Sequence, residues 1–290
     1  MAAAAAVCLK RSQYERGHFV AEETRIESMK IKNKRTLVFL SDLHDREFGK
    51  DSSELLEAMR RIRPDAILIG GDTMVAKKGK AKLDVTRRLI SGLCAIPGKQ
   101  DTSGYCPVYY ANGNHEQRLD AEREEYGTLY DEFLEILKQE GVHYLSDSSA
   151  MLGEDICISG LNLESCFYRD VFPAQMKAVY VFSRLGRPDP EKFQILMAHS
   201  PLFHKAYASW GADLALAGHF HGGTIRLPVL GGVMTPQYQF FLPCCAGTFS
   251  RRGRCMIVSR GLGTHSINIR LRNRPQLVVV HLEPKEADKK

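Results

Sequence analysis

The chain has 290 residues, of which 44% are hydrophobic and 26% charged, and its formal charge is +6 at pH 7. These proportions exclude a disordered or fibrous chain, and the length suits one large domain or two small ones. The eight cysteines include no C-x-x-C pair, which argues against a thiolate zinc site or a thioredoxin-type motif and fits a reducing compartment.

Met1 to Leu9 is apolar and is followed by Lys10 and Arg11. It is too short to span a bilayer, which takes about 20 apolar residues, and it lacks the basic start and cleavage site of a secretory leader. Residues 1–34 are set apart as an N-terminal segment, either a frayed helix or the stub of a longer anchor. Residues 35–284 are read as one domain. Apolar, β-branched runs predict strands over 36–41, 66–70, 108–111, 156–160, 193–198, 213–217, 255–259 and 276–282. Leu55, Leu56, Met59 and Ile62 recur at helical spacing and predict a helix over 51–63, with Ser52 or Ser53 as N-cap and Pro64 as its stop. Residues 82–96 and 122–139 read as helices in the same way, the second ended by Gly141. Strands alternating with helices give an α/β layered domain. Residues 285–290 are charged and read as a loose tail.

Two features lie near the end of the chain. Residues 222–274 contain eight arginines and no Asp, Glu or Lys. That suits an anionic partner, or else an arginine-rich solvated face. Within it, residues 227–250 carry no charge until Arg251 and are broken by Gly and Pro. They form either a loop folded onto the core or an exposed apolar rim.

Five polar clusters punctuate the predicted elements: Asp42-Leu43-His44, Gly71-Asp72, Gly113-Asn114-His115-Glu116, His199, and Gly218-His219-Phe220-His221. Most directly follow a predicted strand. In open α/β sheets ligands bind beyond the carboxyl ends of strands, so these side chains can converge although far apart in sequence. Imidazoles with carboxylate and amide oxygens suit borderline divalent ions such as Mn, Fe or Zn better than Ca or Mg. Each cluster alone is weak, since a lone strand-end histidine is more often structural. The ordered set is a strong signal.

With those residues in view, the chain resembles the calcineurin-like metallophosphoesterases, whose pattern is D-x-H, G-D, G-N-H-[DE], a lone His, then G-H-x-H. The resemblance implies a four-layer domain, a β-sandwich of two mixed sheets flanked by helices. It implies two divalent transition metal ions, one held by Asp42, His44 and His221, the other by Asn114, His199 and His219, with Asp72 bridging both. His115 is then the catalytic histidine, and a hydroxide between the ions attacks a phosphoester. Arg226, Arg251 and Arg252 are the candidates for clamping a second phosphate.

A closer likeness is to a bacterial branch that continues G-G-Q-I-R-L-P after the last metal histidine and closes with S-R-G-L-G-T. Here the matching residues are GGTIRLP and SRGLGT, with Thr224 in place of Gln and Phe220 in place of Thr in G-H-x-H. Members of that branch are often membrane-associated, and some act on lipid-linked pyrophosphates. This likeness implies a phosphodiesterase or pyrophosphatase of a lipid-linked or amphiphilic phosphate, cytoplasmic and peripheral to the membrane, with no nucleic-acid partner. A nuclease or a general soluble phosphomonoesterase is the alternative; a non-catalytic scaffold would have lost His115 or a ligand, and none is lost. Val75 stands where the family's phosphoprotein phosphatases carry the Asp that orients the catalytic histidine, which argues against protein dephosphorylation.

Overall fold

The computed structural model describes residues 2–99, 104–168, 174–227, 229–235, 239–264 and 268–285. The chain opens with α1 (Ala2–Gly17) and β1 (Val20–Ser28), then β2 (Arg35–Leu40), α2 (Ser53–Ile62), β3 (Ala66–Ile69), α3 (Asp84–Cys94) and β4 (Val108–Ala111). Three helices, α4 (Asn114–Ala121), α5 (Arg123–Tyr126) and α6 (Leu129–Gln139), lead to β5 (His143–Leu145), β6 (Ser148–Leu152) and β7 (Ile156–Gly160). Next come α7 (Ala178–Leu185), β8 (Phe193–Met197), α8 (His204–Trp210) and β9 (Leu214–Ala217). A short hairpin of β10 (Arg226–Leu227) and β11 (Gly231–Gly232) precedes β12 (Gly247–Arg251), β13 (Arg254–Val258) and β14 (Gln276–Pro284).

Two six-stranded sheets result, with orders β1-β14-β2-β3-β4-β5 and β12-β13-β9-β8-β7-β6. Each mixes a run of parallel neighbours with antiparallel pairing, β14 against β2 in one, and β12 against β13 and β6 against β7 in the other. The layering follows from period-2 alternation along the strands. In β2, Leu37 and Phe39 enter the core between the sheets, where they meet Ile158, Ile195 and Leu216. Val38 and Leu40 point the other way, into the core made with Leu55 and Met59 of α2, Leu89 of α3 and Phe133 of α6. On the outer face of the second sheet, Val181 of α7 and Tyr207 of α8 pack over Leu196 and Val258. The architecture is therefore helix, sheet, sheet, helix, as expected for a metallophosphoesterase sandwich.

Several local expectations need correction. The helix read over 122–139 is broken into α5 and α6 by Gly127, whose φ of 58° carries the chain out of the helix. Neither serine caps α2 with its side chain: Ser52 is left-handed at φ 59° and makes no capping bond. Within 1–34, β1 pairs in parallel along the whole of β14 and forms a sheet edge. Its charged run, VAEETRIES, hid it from a hydrophobic reading, because an edge strand faces water along one side. Among the described residues no helix is long and apolar enough to cross a membrane. The tail expected over 285–290 lies outside the described residues, apart from Lys285.

Candidate metal centre

The carboxyl ends of β2, β3 and β4 in one sheet lie beside those of β8 and β9 in the other, and each of the five clusters hangs from one of these ends. The chain must turn sharply there. Asp42 (φ 55°), His44 (48°), Asp72 (55°), His219 (68°) and His221 (49°) all occupy the left-handed region. This costs an L-residue on the order of 1–3 kcal/mol and survives only where neighbours over-determine it. The neighbours are specific. The Asp42 amide donates to Gly71 O and the His44 amide to Asp72 O, each at 3.0 Å, and the His219 amide donates to Asp42 Oδ1 at 2.9 Å.

Glu116 ties two of the clusters together. Its buried carboxylate accepts the amides of Asp72 (2.9 Å), Thr73 (3.1 Å) and Gly113 (2.8 Å), and the Tyr110 hydroxyl (2.6 Å). The two loops approach so closely that a Cβ on Gly113 would overlap Asp72 Oδ1, which explains the glycine before Asn114. Gly261, left-handed at φ 64°, does the same on the other side: a Cβ there would sit 2.7 Å from Asp42 Cβ.

Three groups of potential ligand atoms follow: Asp42, His44 and His221; Asp72, His199 and His219; His44, Asp72 and His115. Within each group the atoms lie within 4.8 Å of one another. His44 Nε2 is 3.1 Å from His221 Nε2. His199 Nε2 is 3.1 Å from Asp72 Oδ2 and 3.6 Å from Asp42 Oδ1. The far nitrogens are held by carbonyls, His199 Nδ1 on Gly70 O at 2.7 Å and His221 Nδ1 on Gly263 O at 3.3 Å. That arrangement leaves the Nε2 lone pairs for the centre and is how metal-binding imidazoles are oriented. Asn114 Oδ1 is buried and accepts no hydrogen bond from any described residue, an expensive state for an amide oxygen unless a cation completes it. Asn114 shares a small hollow with Tyr168, whose ring packs 5.0 Å from that of His219 and 6.0 Å from that of His199. The donor set fits a borderline divalent ion.

The electrostatics of the protein alone say the same. Burial pushes the Asp42 carboxyl up to about 6, against the pull of His199. Burial also acts to raise Asp72, but His199, His115 and His44 outweigh it and hold that carboxyl well below the usual range. Burial opposes a charge on His199, yet Asp72 and Asp42 more than offset it and raise the imidazole to about 10. Two buried carboxylates thus demand positive charge between them.

His115 is arranged differently. Its Nδ1 accepts the Ala76 amide at 2.8 Å, so the neutral ring carries its proton on Nε2. Its ring lies 4.8 Å from that of His44. The Val75 side chain is no orienting acid, as read from the sequence. Instead the backbone beside it serves, and Asp45 Oδ2 holds the Val75 amide at 3.1 Å.

The arginines separate. Arg226 is half-buried beside the last cluster and donates to Gly222 O at 2.9 Å. Arg251 and Arg252 are not beside the centre, which corrects the expectation for them. They sit at the β12–β13 turn, a strand length from the carboxyl ends, or roughly 15 Å at about 3.3 Å per residue. With Lys205 and Arg254 they border a separate hollow of about 200 Å³. Arg270 was not singled out in the sequence, yet it is 1% exposed. Its guanidinium donates to the carbonyls of Asn273 (3.0 Å), Arg260 (2.8 Å), Gly261 (3.1 Å) and Gly263, clamping the loop against Asp42. Asn273 Nδ2 in turn holds the carbonyls of His221 and Gly223 at 2.7 Å. In composition such an arginine cannot be told from its solvated neighbours.

The uncharged run is divided between the two readings: Thr235 and Cys245 are buried, whereas Val229, Leu230, Phe240 and Phe241 are each more than half exposed.

Comparison with known proteins agrees with this geometry. The family model for calcineurin-like phosphoesterases matches residues 35–223. The chain is similar to YpbG of Bacillus subtilis, 26% identical over 287 residues, which span 97% of this chain and 93% of YpbG. It is similar to the metallophosphoesterase YkuE of the same organism, 24% identical over 255 residues, 85% of this chain and 78% of YkuE. It is also similar to the phosphodiesterase YaeI of Escherichia coli, 25% identical over 251 residues, 85% of this chain and 81% of YaeI.

Proposed function

This chain belongs to the calcineurin-like phosphoesterase family, and on that premise we propose that it uses two divalent transition ions to hydrolyse a phosphodiester or pyrophosphate carried by an amphiphilic molecule. In this reading Asp42, His44 and His221 hold one ion, Asn114, His199 and His219 the other, and Asp72 both. The observation that carries it is that Asp42, Asp72, His44, His199, His219 and His221 fall into overlapping buried groups, with Asn114 Oδ1 left unpartnered among the described residues. Bound there, the ions supply Lewis-acid activation of a water and neutralise charge on the phosphoryl oxygens. Mn, Fe and Zn all suit the donors. His115 presents Nε2–H to stabilise or protonate the leaving oxygen. Of the three arginines named from the sequence, Arg226 is the one that lies next to the last ligand loop.

The amphiphilic part of the reading is supported by the rim of Val229, Leu230, Phe240 and Phe241, which follows His221 closely in the chain. Exposed apolar surface of this kind accepts acyl chains or a membrane face, and would make the protein peripheral to the cytoplasmic membrane. The name of the relative YaeI, a phosphodiesterase, supports diester over monoester cleavage. The test is an assay of purified, Mn²⁺-loaded protein on p-nitrophenyl phosphate, bis-p-nitrophenyl phosphate and a lipid-linked UDP-sugar. Turnover of the latter two that is abolished by a chelator supports the proposal. Activity that survives chelation overturns it.

A further inference from the structure

A cleft of about 800 Å³ opens from His44 and His115, lined beyond them by Lys77, Lys78, Arg118 and Thr264. Its size fits a substantial group, since ligand pockets typically run about 300–1,000 Å³. Its charge is one-sided, because Lys77, Lys78 and Arg118 meet a single lining carboxylate, Glu122. Lys78 is already paired with Glu125 at 2.6 Å. Lys77 is exposed and has no ion pair among the described residues. Arg118 reaches across the cleft floor and donates to Ala76 O at 3.2 Å, on the same residue whose amide holds His115 Nδ1 at 2.8 Å. The cations therefore line the same cleft as His115, and Ala76 contacts Arg118 through its carbonyl and His115 through its amide.

We propose that this cleft receives the leaving group, and that Lys77 and Arg118 select one that bears its own phosphate. The proposal rests on the phosphoesterase reading above and on His115 facing the leaving oxygen. The chemistry is consistent with it. Water adds its oxygen to the scissile phosphorus, the bond from that phosphorus to the bridging oxygen breaks, and the electron pair departs with the leaving phosphate. The protons of the water pass to solvent or product. A leaving phosphate spreads its charge over several oxygens, which an ammonium and a guanidinium stabilise directly. It therefore requires far less protonation than an alkoxide. A histidine that offers one N–H, in a cleft it shares with Lys77 and Arg118, matches a phosphoanhydride better than an alkyl ester. The cleft and the apolar rim would then hold different parts of one substrate.

The test compares kcat/KM for UDP-glucose, whose leaving group on attack at the nucleoside phosphate is a sugar phosphate, with that for bis-p-nitrophenyl phosphate, whose leaving group carries no second phosphate. Both are measured with Mn²⁺ in the wild type and in Lys77→Ala, Lys77→Glu and Arg118→Gln, with metal content and thermal melting checked for each. The expected result is a ratio, UDP-glucose over the aryl diester, that falls at least tenfold in Lys77→Ala and further in Lys77→Glu. Lys77 is exposed, so these two variants keep the test valid even where Arg118→Gln disturbs the Ala76 loop. An unchanged ratio in both lysine variants overturns the proposal, as does a wild type that cleaves the aryl diester but not UDP-glucose. A wild type that cleaves neither overturns the phosphoesterase reading itself, which separates the two failures.

Discussion

The backbone amide of Ala76 donates to Nδ1 of His115 at 2.8 Å, so the proton this ring offers in its neutral form is on Nε2. His115→Ala is expected to keep its metal and lose turnover by about 10²–10⁴-fold, the usual contribution of a group acting on a leaving oxygen. The measurement is kcat on a diester with a poor leaving group, beside metal analysis. A near-normal rate with full metal content would remove His115 from the mechanism.

Asp72 lies within reach of His199 and His219 of one proposed ligand set and of His44 of the other, and its Oδ1 also accepts the His115 amide at 2.8 Å. Asp72→Asn is expected to reduce occupancy of both ions, from about two per chain in carefully loaded wild-type protein. Elemental analysis after dialysis decides. Loss of one ion alone would show that Asp72 does not bridge.

Metal loading should release protons, because ligands must be deprotonated to bind. With His199 raised to about 10 and Asp42 to about 6, the metal-free centre at pH 7–8 keeps a proton on His199 that an ion must displace. Below pH 6 Asp42 is protonated as well, so affinity is expected to fall more steeply as pH drops through that value. Titration calorimetry in buffers of different ionisation enthalpy measures the release directly. A binding enthalpy independent of buffer would contradict the expectation.

Glu116 satisfies three amides and one hydroxyl in a buried setting. Removing it leaves those donors unpaired at about 1–3 kcal/mol each where they stay buried. Glu116→Ala is therefore expected to destabilise the fold by at least about 3 kcal/mol and to loosen the loops bearing Asp72 and Asn114. Chemical denaturation, with metal content read in parallel, tests it. A variant of wild-type stability would mean that water replaces the carboxylate.

Phe240 and Phe241 are 62% and 51% exposed. If the rim meets lipid, Phe240→Ser with Phe241→Ser should lower sedimentation with anionic vesicles while the protein stays folded. Binding by the wild type should weaken with salt. Absence of wild-type vesicle binding, with equal activity on water-soluble and lipid-linked diesters, would leave a general phosphodiesterase.

Much of the molecule is legible in the sequence for a local reason. Buried strands such as Val108–Ala111 and Ile156–Gly160 are short apolar runs with fixed flanks, and their observed bounds coincide with those read from the residues. The clusters at their ends are written in contiguous letters, so their ordered set, from D-L-H to G-H-F-H, points to a candidate metal centre although each alone is weak. What a single stretch of chain cannot contain is a partner distant in sequence. β1 is a strand because β14 lies beside it, and no hydrophobic pattern records that pairing. Arg270 is a buried clamp rather than a solvated charge because four carbonyls from folded loops converge on it, whereas Arg251 and Arg252, identical in chemistry, end up a strand length away. His115 takes its tautomer from an amide thirty-nine residues earlier. The sequence by itself determined which donor atoms exist and the elements that carry them. Only the tertiary structure decided which of them meet, because burial, hydrogen-bond partners and the cost of left-handed turns are properties of loops pressed together from both sheets.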